Sequence, residues 1–392
     1  MMAGQVQRLV DTEHIEQYAQ LTRDAFTSTI EDCRHYVDMV EPQNCRVLLE
    51  DDAVAAGLVL LPMGHYYGGR EIPTAGIAAV AVAAQCRARG YARQLMTAAL
   101  LEARERGMAL SSLYPATVAL YRKCGYGLAG SRFMLRVPLA DLPRTERGFD
   151  IRPLAADEEE LIRPVYAAAA QNQPGQVVRT PFFWHRVRRH HQHQVLGYAV
   201  LREGTVEGYV YFHVERTSDL QKRSMVILDF VATTPEATRA LLGLIADHRS
   251  MIKDAVFGVG PAEPWVGLLD EQSYTLTHEI TWMLRMVDVG RALELRGYPP
   301  MLATELHLDV VDELLPDNSG KITLRIEDGV GQVRRGGAGA MRIPVTALAS
   351  LYSGFYNGTA LRAAGLLEAD ANGVAKADAV FAGPPPWMRD KF

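Results

Sequence analysis

The sequence predicts an α+β protein of three consecutive units, and two observations carry that prediction. One pattern of strand, helix, hairpin, strand and helix occurs twice, over residues 1–145 and again over 146–286. From residue 287 to 392 the pattern changes to a smaller α+β unit with its apolar helices late in the stretch. A length of 392 residues agrees with two or three domains at roughly 150 residues each. The hydrophobic fraction of 48% with 22% charged residues is that of a folded chain and excludes disordered, collagen-like and coiled-coil classes.

In the first unit, Val6 to Asp11 reads as a strand, and Ile15, Tyr18 and Leu21 then recur at helical spacing. CRVLLEDDAVAAGLVLLP reads as a strand, a turn at Glu50-Asp51-Asp52 and a second strand. Gly76 to Ala84 is an apolar strand that feeds a helix running to about Arg106. The second unit repeats these steps. A strand-like start at Phe149 to Leu154 leads into DEEELIRPVYAAAA, where Asp157 suits an N-cap and acidic residues fill the first turn. YAVLREGTVEGYVYFHV repeats the hairpin around Glu203-Gly204-Thr205, and Val226 to Ala232 enters a helix near Pro235. In the third unit a short helix ends at Gly297, strands cover Thr304 to Leu308 and Ile322 to Ile326, and helices cover Ile343 to Tyr352 and Leu361 to Leu366. Three consecutive prolines make the last eleven residues an extended tail.

Composition narrows the function. With 41 basic and 46 acidic residues the net charge is −5, which excludes a dedicated nucleic-acid binder and leaves room for a cationic substrate. The longest mostly apolar run, Ala53 to Gly64, falls short of the ~20 residues a membrane span needs. The N-terminus carries charges where a signal peptide would be apolar. Cys33, Cys45, Cys86 and Cys124 are too sparse for a disulfide framework and form no CxxC, so a cytoplasmic protein with reduced thiols is expected.

The most informative stretch is AVAVAAQCRARGYARQLMTAALLEARERG. A buried strand through Val80, Ala81 and Val82 leaves into Arg87-Ala88-Arg89-Gly90-Tyr91-Ala92, and a helix follows. Gly90 permits a tight turn and Ala92 a close approach. The first-turn N–H groups of that helix have no partner within it, and they lie at the positive end of its dipole. With Arg87, Arg89 and Arg93 they suit a pyrophosphate. The second unit has Thr233-Thr234-Pro235-Glu236-Ala237-Thr238 at this point, with no glycine and with an acid that repels phosphate, so it should bind no such group.

Arg87 to Ala92 resembles the R/Q-x-x-G-x-G/A loop of the GNAT acetyltransferase superfamily. Leu120-Tyr121-Arg122-Lys123-Cys124-Gly125-Tyr126-Gly127, about 30 residues on, resembles that superfamily's Y-x-x-x-G-F/Y segment. The tandem units, the terminal unit opening near DVGRALELRGY and the final Phe392 make the whole chain similar to the enhanced intracellular survival (Eis) family within it. The resemblance implies a catalytic GNAT domain at 1–145, a degenerate GNAT-like domain without cofactor at 146–286, and a sterol-carrier-protein-like α+β domain at 287–392 whose tail enters the active site. It implies an acetyl-CoA-dependent N-acetyltransferase that works by direct attack of a primary amine (a small molecule, a polyamine or aminoglycoside, or a lysine side chain), with no metal, often as a homo-hexamer.

The same resemblance assigns roles. Val80, Ala81 and Val82 lie where the family's bulged strand meets the pantetheine arm, and Arg87, Ala88, Arg89, Gly90, Tyr91, Ala92 and Arg93 where it binds pyrophosphate. Ala116 and Thr117 fall among its further CoA contacts. Tyr121 aligns with the general acid that protonates the CoA thiolate. A phenol of ordinary pKa about 10 stays protonated at neutral pH and can serve a thiolate. Phe392 supplies the general base through its α-carboxylate, whose ordinary pKa of about 3.5 must rise by desolvation for the task. Lys391 beside that base departs from an acidic pocket built for polycations. Tyr126 reads as structural.

Two other functions compete: a transferase for a longer acyl-CoA, and a non-enzymatic lipid binder centred on the third unit. His185, His190, His191 and His193 lack HExxH spacing or cysteine partners and read as a solvated basic helix face rather than a metal site. Gly336-Gly337-Ala338-Gly339 reads as a turn, and Cys86 and Cys124 as packing residues.

Overall fold

The protein is described from a computed structural model, which covers residues 5–144, 148–155, 157–189, 193–215 and 223–392. Its contacts divide it into two compact units. One holds the described residues of Met1–Ala129 together with Thr281–Gly383 and Phe392; the other holds those of Gly130–Ile280 with Pro384–Lys391.

The chain opens with β1 (Val6–Arg8), α1 (Thr12–Phe26), α2 (Ile30–Val40), β2 (Cys45–Glu50), β3 (Ala53–Tyr67), β4 (Arg70–Val82), α3 (Tyr91–Glu105), β5 (Leu110–Leu113) and α4 (Val118–Arg122). Asp11 caps α1 by accepting from the Glu13 and His14 amides, so the helix starts where the apolar spacing begins. The β2–β3 turn places Asp51 and Asp52 at φ 49 and 63, the left-handed pair that a tight two-residue hairpin demands. The sheet order β1-β2-β3-β4-β5 is antiparallel except for β4 and β5, which run parallel with α3 as their crossover. On α3, Leu95, Met96, Ala99, Leu100 and Ala103 are buried against Leu58, Leu60, Ala75, Ile77 and Leu113. Fully burying each leucine contributes about 1.5–3 kcal/mol. Arg46, itself buried, grips Glu102 of α3 with two hydrogen bonds of 2.6 and 2.5 Å.

The middle of the chain forms β6 (Gly127–Pro138), β7 (Asp150–Pro153), α5 (Glu159–Ala170), β8 (Val177–Val178), α6 (Pro181–Arg188), β9 (Leu196–Arg202), β10 (Thr205–Glu215), β11 (Ser224–Ala232), α7 (Pro235–Ala246), β12 (Asp254–Val259) and β13 (Thr275–Met286). Within the second unit the order β6-β12-β11-β10-β9-β7 repeats the design, with β11 and β12 as the parallel pair and α7 between them. The N-cap of α5 is Glu158 rather than the expected Asp157. The Glu158 carboxylate accepts from the Ala155 amide and from Arg152, which fixes the turn one residue later. Residues 384–391 form neither helix nor strand, and Asp390 accepts from Arg179, which also donates to buried Asp229.

The last stretch adds α8 (Val289–Leu295), β14 (Thr304–Val311), β15 (Gly320–Glu327), β16 (Val330–Arg335), β17 (Met341–Pro344), α9 (Val345–Ser353), α10 (Gly358–Ala363) and α11 (Ala371–Val380). Its four-stranded sheet runs β16-β15-β14-β17, and Gly336 to Gly339 is the connection between β16 and β17. Arg285 and Asp312, both buried, form an ion pair of 2.7 Å; Asp312 also accepts from Asn318 and from the Leu314 and Leu315 amides. The chain here belongs to the same unit as the first segment, because its elements pack there: Ser350 of α9 donates to the Leu128 carbonyl at 2.7 Å.

Candidate active site

Strands β4 and β5 pair only from Thr74–Leu110 to Ile77–Leu113, so Ala78 to Val82 runs on with its β5 side unpaired. On the other side the register with β3 slips. Gly57 faces Ala81 and Val59 faces Ala78, which leaves Leu58 opposite both Ala79 and Val80. This is a β-bulge, and Ala79 sits at φ 47. The bulge and the missing partner together leave a stretch of strand backbone available to another molecule. Val80 and Val82 are half-buried and Ala81 is buried.

The loop after β4 turns twice through the left-handed region, at Ala88 (φ 63) and Gly90 (φ 84). Gly90 is the N-cap of α3 and offers no side chain to the first-turn amides. No atom lies within 4 Å of where a Cβ on Gly90 would sit, so the helix N-terminus opens into free space. A depression of about 820 Å³ runs from Gly90 along Arg93, Gln94 and Thr97. Unfilled N-terminal amides beside open space fit a pyrophosphate. By contrast, Thr234 caps α7 by accepting the Ala237 amide at 3.2 Å; Pro235 has no N–H, and Glu236 occupies the first turn.

Of the three arginines read as phosphate partners, Arg87 and Arg93 face solvent, but Arg89 is engaged. Its Nη1 donates to both oxygens of Glu50 at 2.7 and 2.9 Å. Glu50 also accepts from the Tyr91 hydroxyl at 2.9 Å and the Cys86 thiol at 3.3 Å. These bonds, that of Tyr91 first, hold the Glu50 carboxyl below its usual range. Burial pushes the Cys86 and Cys124 thiols up, which fits packing residues rather than nucleophiles. Glu50 thus ties down the loop from 86 to 91. In the sequence it reads only as a turn residue, since nothing local points to partners about 40 positions away.

Tyr121 lies on α4, 5% exposed, in the cluster that holds Ile77, Cys86 and Leu95, with Val80, Val82 and Tyr91 packed against it. Burial pushes its phenol up to about 12, and the neighbouring Cys124 adds to the rise. Its hydroxyl has no hydrogen bond among the described residues, whereas Tyr126 is fully buried and paired with Ser111 at 2.7 Å. Ala116 and Thr117 are exposed, with Thr117 at the N-cap of α4.

The half-buried Phe392 has its ring edge-on to Tyr114, with centroids 5.7 Å apart. Its Cε2 is 3.1 Å from where a Cβ on Gly76 would be, one residue before the last β4–β5 pair. The chain therefore ends beside the point where the strands part. The neighbouring Lys391 has its ammonium 2.5 Å from Glu279, which also pairs with Arg132, so one carboxylate serves two cations.

His185 is on α6; His190 and His191 lie outside the described residues, and His193 stacks on His213. No group of metal-binding side chains occurs among the described residues, and no helix there is long and apolar enough to cross a membrane.

A bulged, half-paired β4, an α3 without a side-chain cap after a glycine turn, and Tyr121 in the same apolar cluster as Val80 and Val82 form a candidate site for acyl transfer. The sequence agrees: acetyltransferase (GNAT) domain profiles match residues 7–129 and 175–286, and a sterol carrier protein domain profile matches 289–389. A GCN5-related N-acetyltransferase from Anabaena variabilis is 34% identical, covers 99% of this chain and all of its own, and superposes with a TM-score of 0.95. Another from Kribbella flavida is 26% identical over 100% of this chain and 99% of its own, with a TM-score of 0.85. N-acetyltransferase Eis of Mycobacterium tuberculosis is 27% identical, over 80% of this chain and 79% of its own length. The chain belongs to the GCN5-related N-acetyltransferase family, as an Eis-like member, and is an acetyltransferase.

Proposed function

We propose that this enzyme moves an acetyl group from acetyl-CoA to a primary amine, with Tyr121 as general acid and the α-carboxylate of Phe392 as general base. The observation that carries the reading is that the Ala78–Val82 stretch, open on its β5 side, Tyr121 and Phe392 lie within one unit. Acetyl-CoA supplies an activated thioester. Arg87, Ala88, Gly90, Tyr91, Ala92 and Arg93 hold its pyrophosphate at the start of α3, with Ala116 and Thr117 as outer contacts. Arg89 contributes mainly by fixing the loop, since Glu50 takes its charge. Backbone N–H groups of Val80 and Val82, on either side of Ala81, orient the acyl arm and polarise its carbonyl.

The Phe392 carboxylate takes the proton of the incoming ammonium, and Tyr121 gives its own to the departing sulfur. A phenol near 12 stays protonated across the working pH range, so the acid is always loaded. Lys391 beside the base shares Glu279 with Arg132, which leaves one positive charge over and weighs against a polycationic acceptor. The net charge of −5 favours a cationic acceptor, whether a small amine, a polyamine, an aminoglycoside or a lysine side chain. The family likeness extends the reading to a cytoplasmic homo-hexamer, which sedimentation measures directly.

The test is CoA release from acetyl-CoA with an amine panel, for the intact chain and for a chain lacking Phe392. That deletion moves the terminal carboxylate by about 3.5 Å along the chain. Turnover is expected to collapse while CoA still binds. Equal turnover of both forms removes Phe392 from the mechanism, and preference for a long-chain acyl-CoA replaces the donor.

A further inference from the structure

The bulge in β4 costs free energy, because Ala79 holds a left-handed backbone that alanine disfavours. Such strain persists only where surrounding contacts impose it. The extra residue of a bulge also leaves a backbone group outside the strand ladder. Here the carbonyl of Ala79 accepts a hydrogen bond of 2.9 Å from the hydroxyl of Tyr18, on α1. The Tyr18 side chain is fully buried. Its ring fits because position 57 is glycine: a Cβ there would stand 2.5 Å from Cε2 and 2.7 Å from Cδ2 of the ring. Gly57 lies on β3 at the residue where the register slips. Three features from α1, β3 and β4 thus meet at one kink, immediately before Val80.

We propose that Tyr18 is a positioning residue that holds the β4 bulge in the shape that aims the Val80 and Val82 backbone at the acyl donor. The inference rests on the reading of Ala78–Val82 as the donor's arm site. Tyr18 touches no reacting atom; it acts through the Ala79 carbonyl. Its removal lets Ala79 relax toward ordinary strand geometry, which rotates the following N–H groups away from the thioester carbonyl. The pyrophosphate loop is held separately by Glu50, so affinity for CoA itself should survive.

The experiment compares the full chain with Tyr18→Phe, Ala79→Gly and the double variant. It measures kcat for acetyl transfer, the CoA dissociation constant by calorimetry, and the melting temperature. Tyr18→Phe is expected to lower kcat by about tenfold, part of what losing a whole carbonyl-polarising donor costs, with CoA affinity within about twofold. Glycine at 79 adopts the left-handed backbone without penalty, so the double variant should recover most of the lost turnover. Turnover of Tyr18→Phe within about twofold of the parent overturns the proposal, as does a loss shared equally by CoA affinity or left unrepaired by Ala79→Gly. If the parent chain neither binds CoA nor releases it from acetyl-CoA, the donor-site reading itself falls and takes this inference with it.

Discussion

Replacing Tyr121 by phenylalanine tests the chemistry at a single oxygen. The aromatic ring stays in the cluster with Ile77 and Leu95, so no cavity opens. No described residue bonds to the hydroxyl, so no partner is left unsatisfied and the melting temperature should stay within a degree or two, well under 1 kcal/mol. The loss is confined to proton donation. General acid catalysis is worth at least about 10²-fold, or about 2.7 kcal/mol of barrier at 1.36 kcal/mol per decade. We therefore expect kcat to fall by about 10² with CoA affinity unchanged, read by thiol release under saturating acetyl-CoA and by calorimetry. The pH profile adds a second check. With the phenol near 12, only about one molecule in a hundred is ionised at pH 10, so Tyr121 imposes no basic limb below about pH 11. Turnover within about twofold of the parent refutes the assignment. A basic limb near pH 9 that disappears in the variant would instead keep Tyr121 as the acid and overturn the raised phenol, because burial could not then be lifting it.

Glu50→Ala removes the acceptor shared by Arg89, Tyr91 and Cys86, and should weaken CoA binding by about three- to tenfold by calorimetry even though it frees Arg89; tighter binding would show that Glu50 only competes with phosphate. Asp229→Asn leaves Arg179 and Arg389 facing a neutral group in the second unit, and breaking such a buried pair should cost about 3–5 kcal/mol in denaturant unfolding. The same site gives a pH dependence. Burial alone would raise the Asp229 carboxyl, but Arg179 and Arg389 outweigh it and hold it below 3.8. Its stabilisation is therefore complete at neutral pH and is lost only as the pH falls through the depressed value. An unfolding midpoint that drops in acid equally for parent and Asp229→Asn would contradict this.

The duplicated unit, the hairpins and the uncapped helix were determined by local sequence. Paired aspartates turn the β2–β3 hairpin, Gly90 starts α3 without a side-chain cap, and Pro235 with Glu236 closes the equivalent end of α7. These are short-range effects of backbone preference and charge, legible wherever residues within a few positions decide the outcome. Short elements set by packing were less legible: α4, β16 and β17 span only four to six residues, too few for a periodic signal. The helical spacing of Ile30, Cys33, Val37 and Val40 in α2, behind the Thr29 cap, is by contrast legible in the sequence. Asp157 looked like a cap, yet Glu158 holds the turn through Arg152. Tertiary structure alone decided that Glu50 restrains the loop at 86–91, that Tyr18 meets Ala79 across 61 positions, and that Phe392 lies against Gly76 and Tyr114. It also paired Arg89 with Glu50 and left Arg87 and Arg93 exposed, although the three look alike in sequence. Hydrogen bonds and ring contacts between distant residues depend on strand register and bulges, and a shift of one position reverses which side chains share a face.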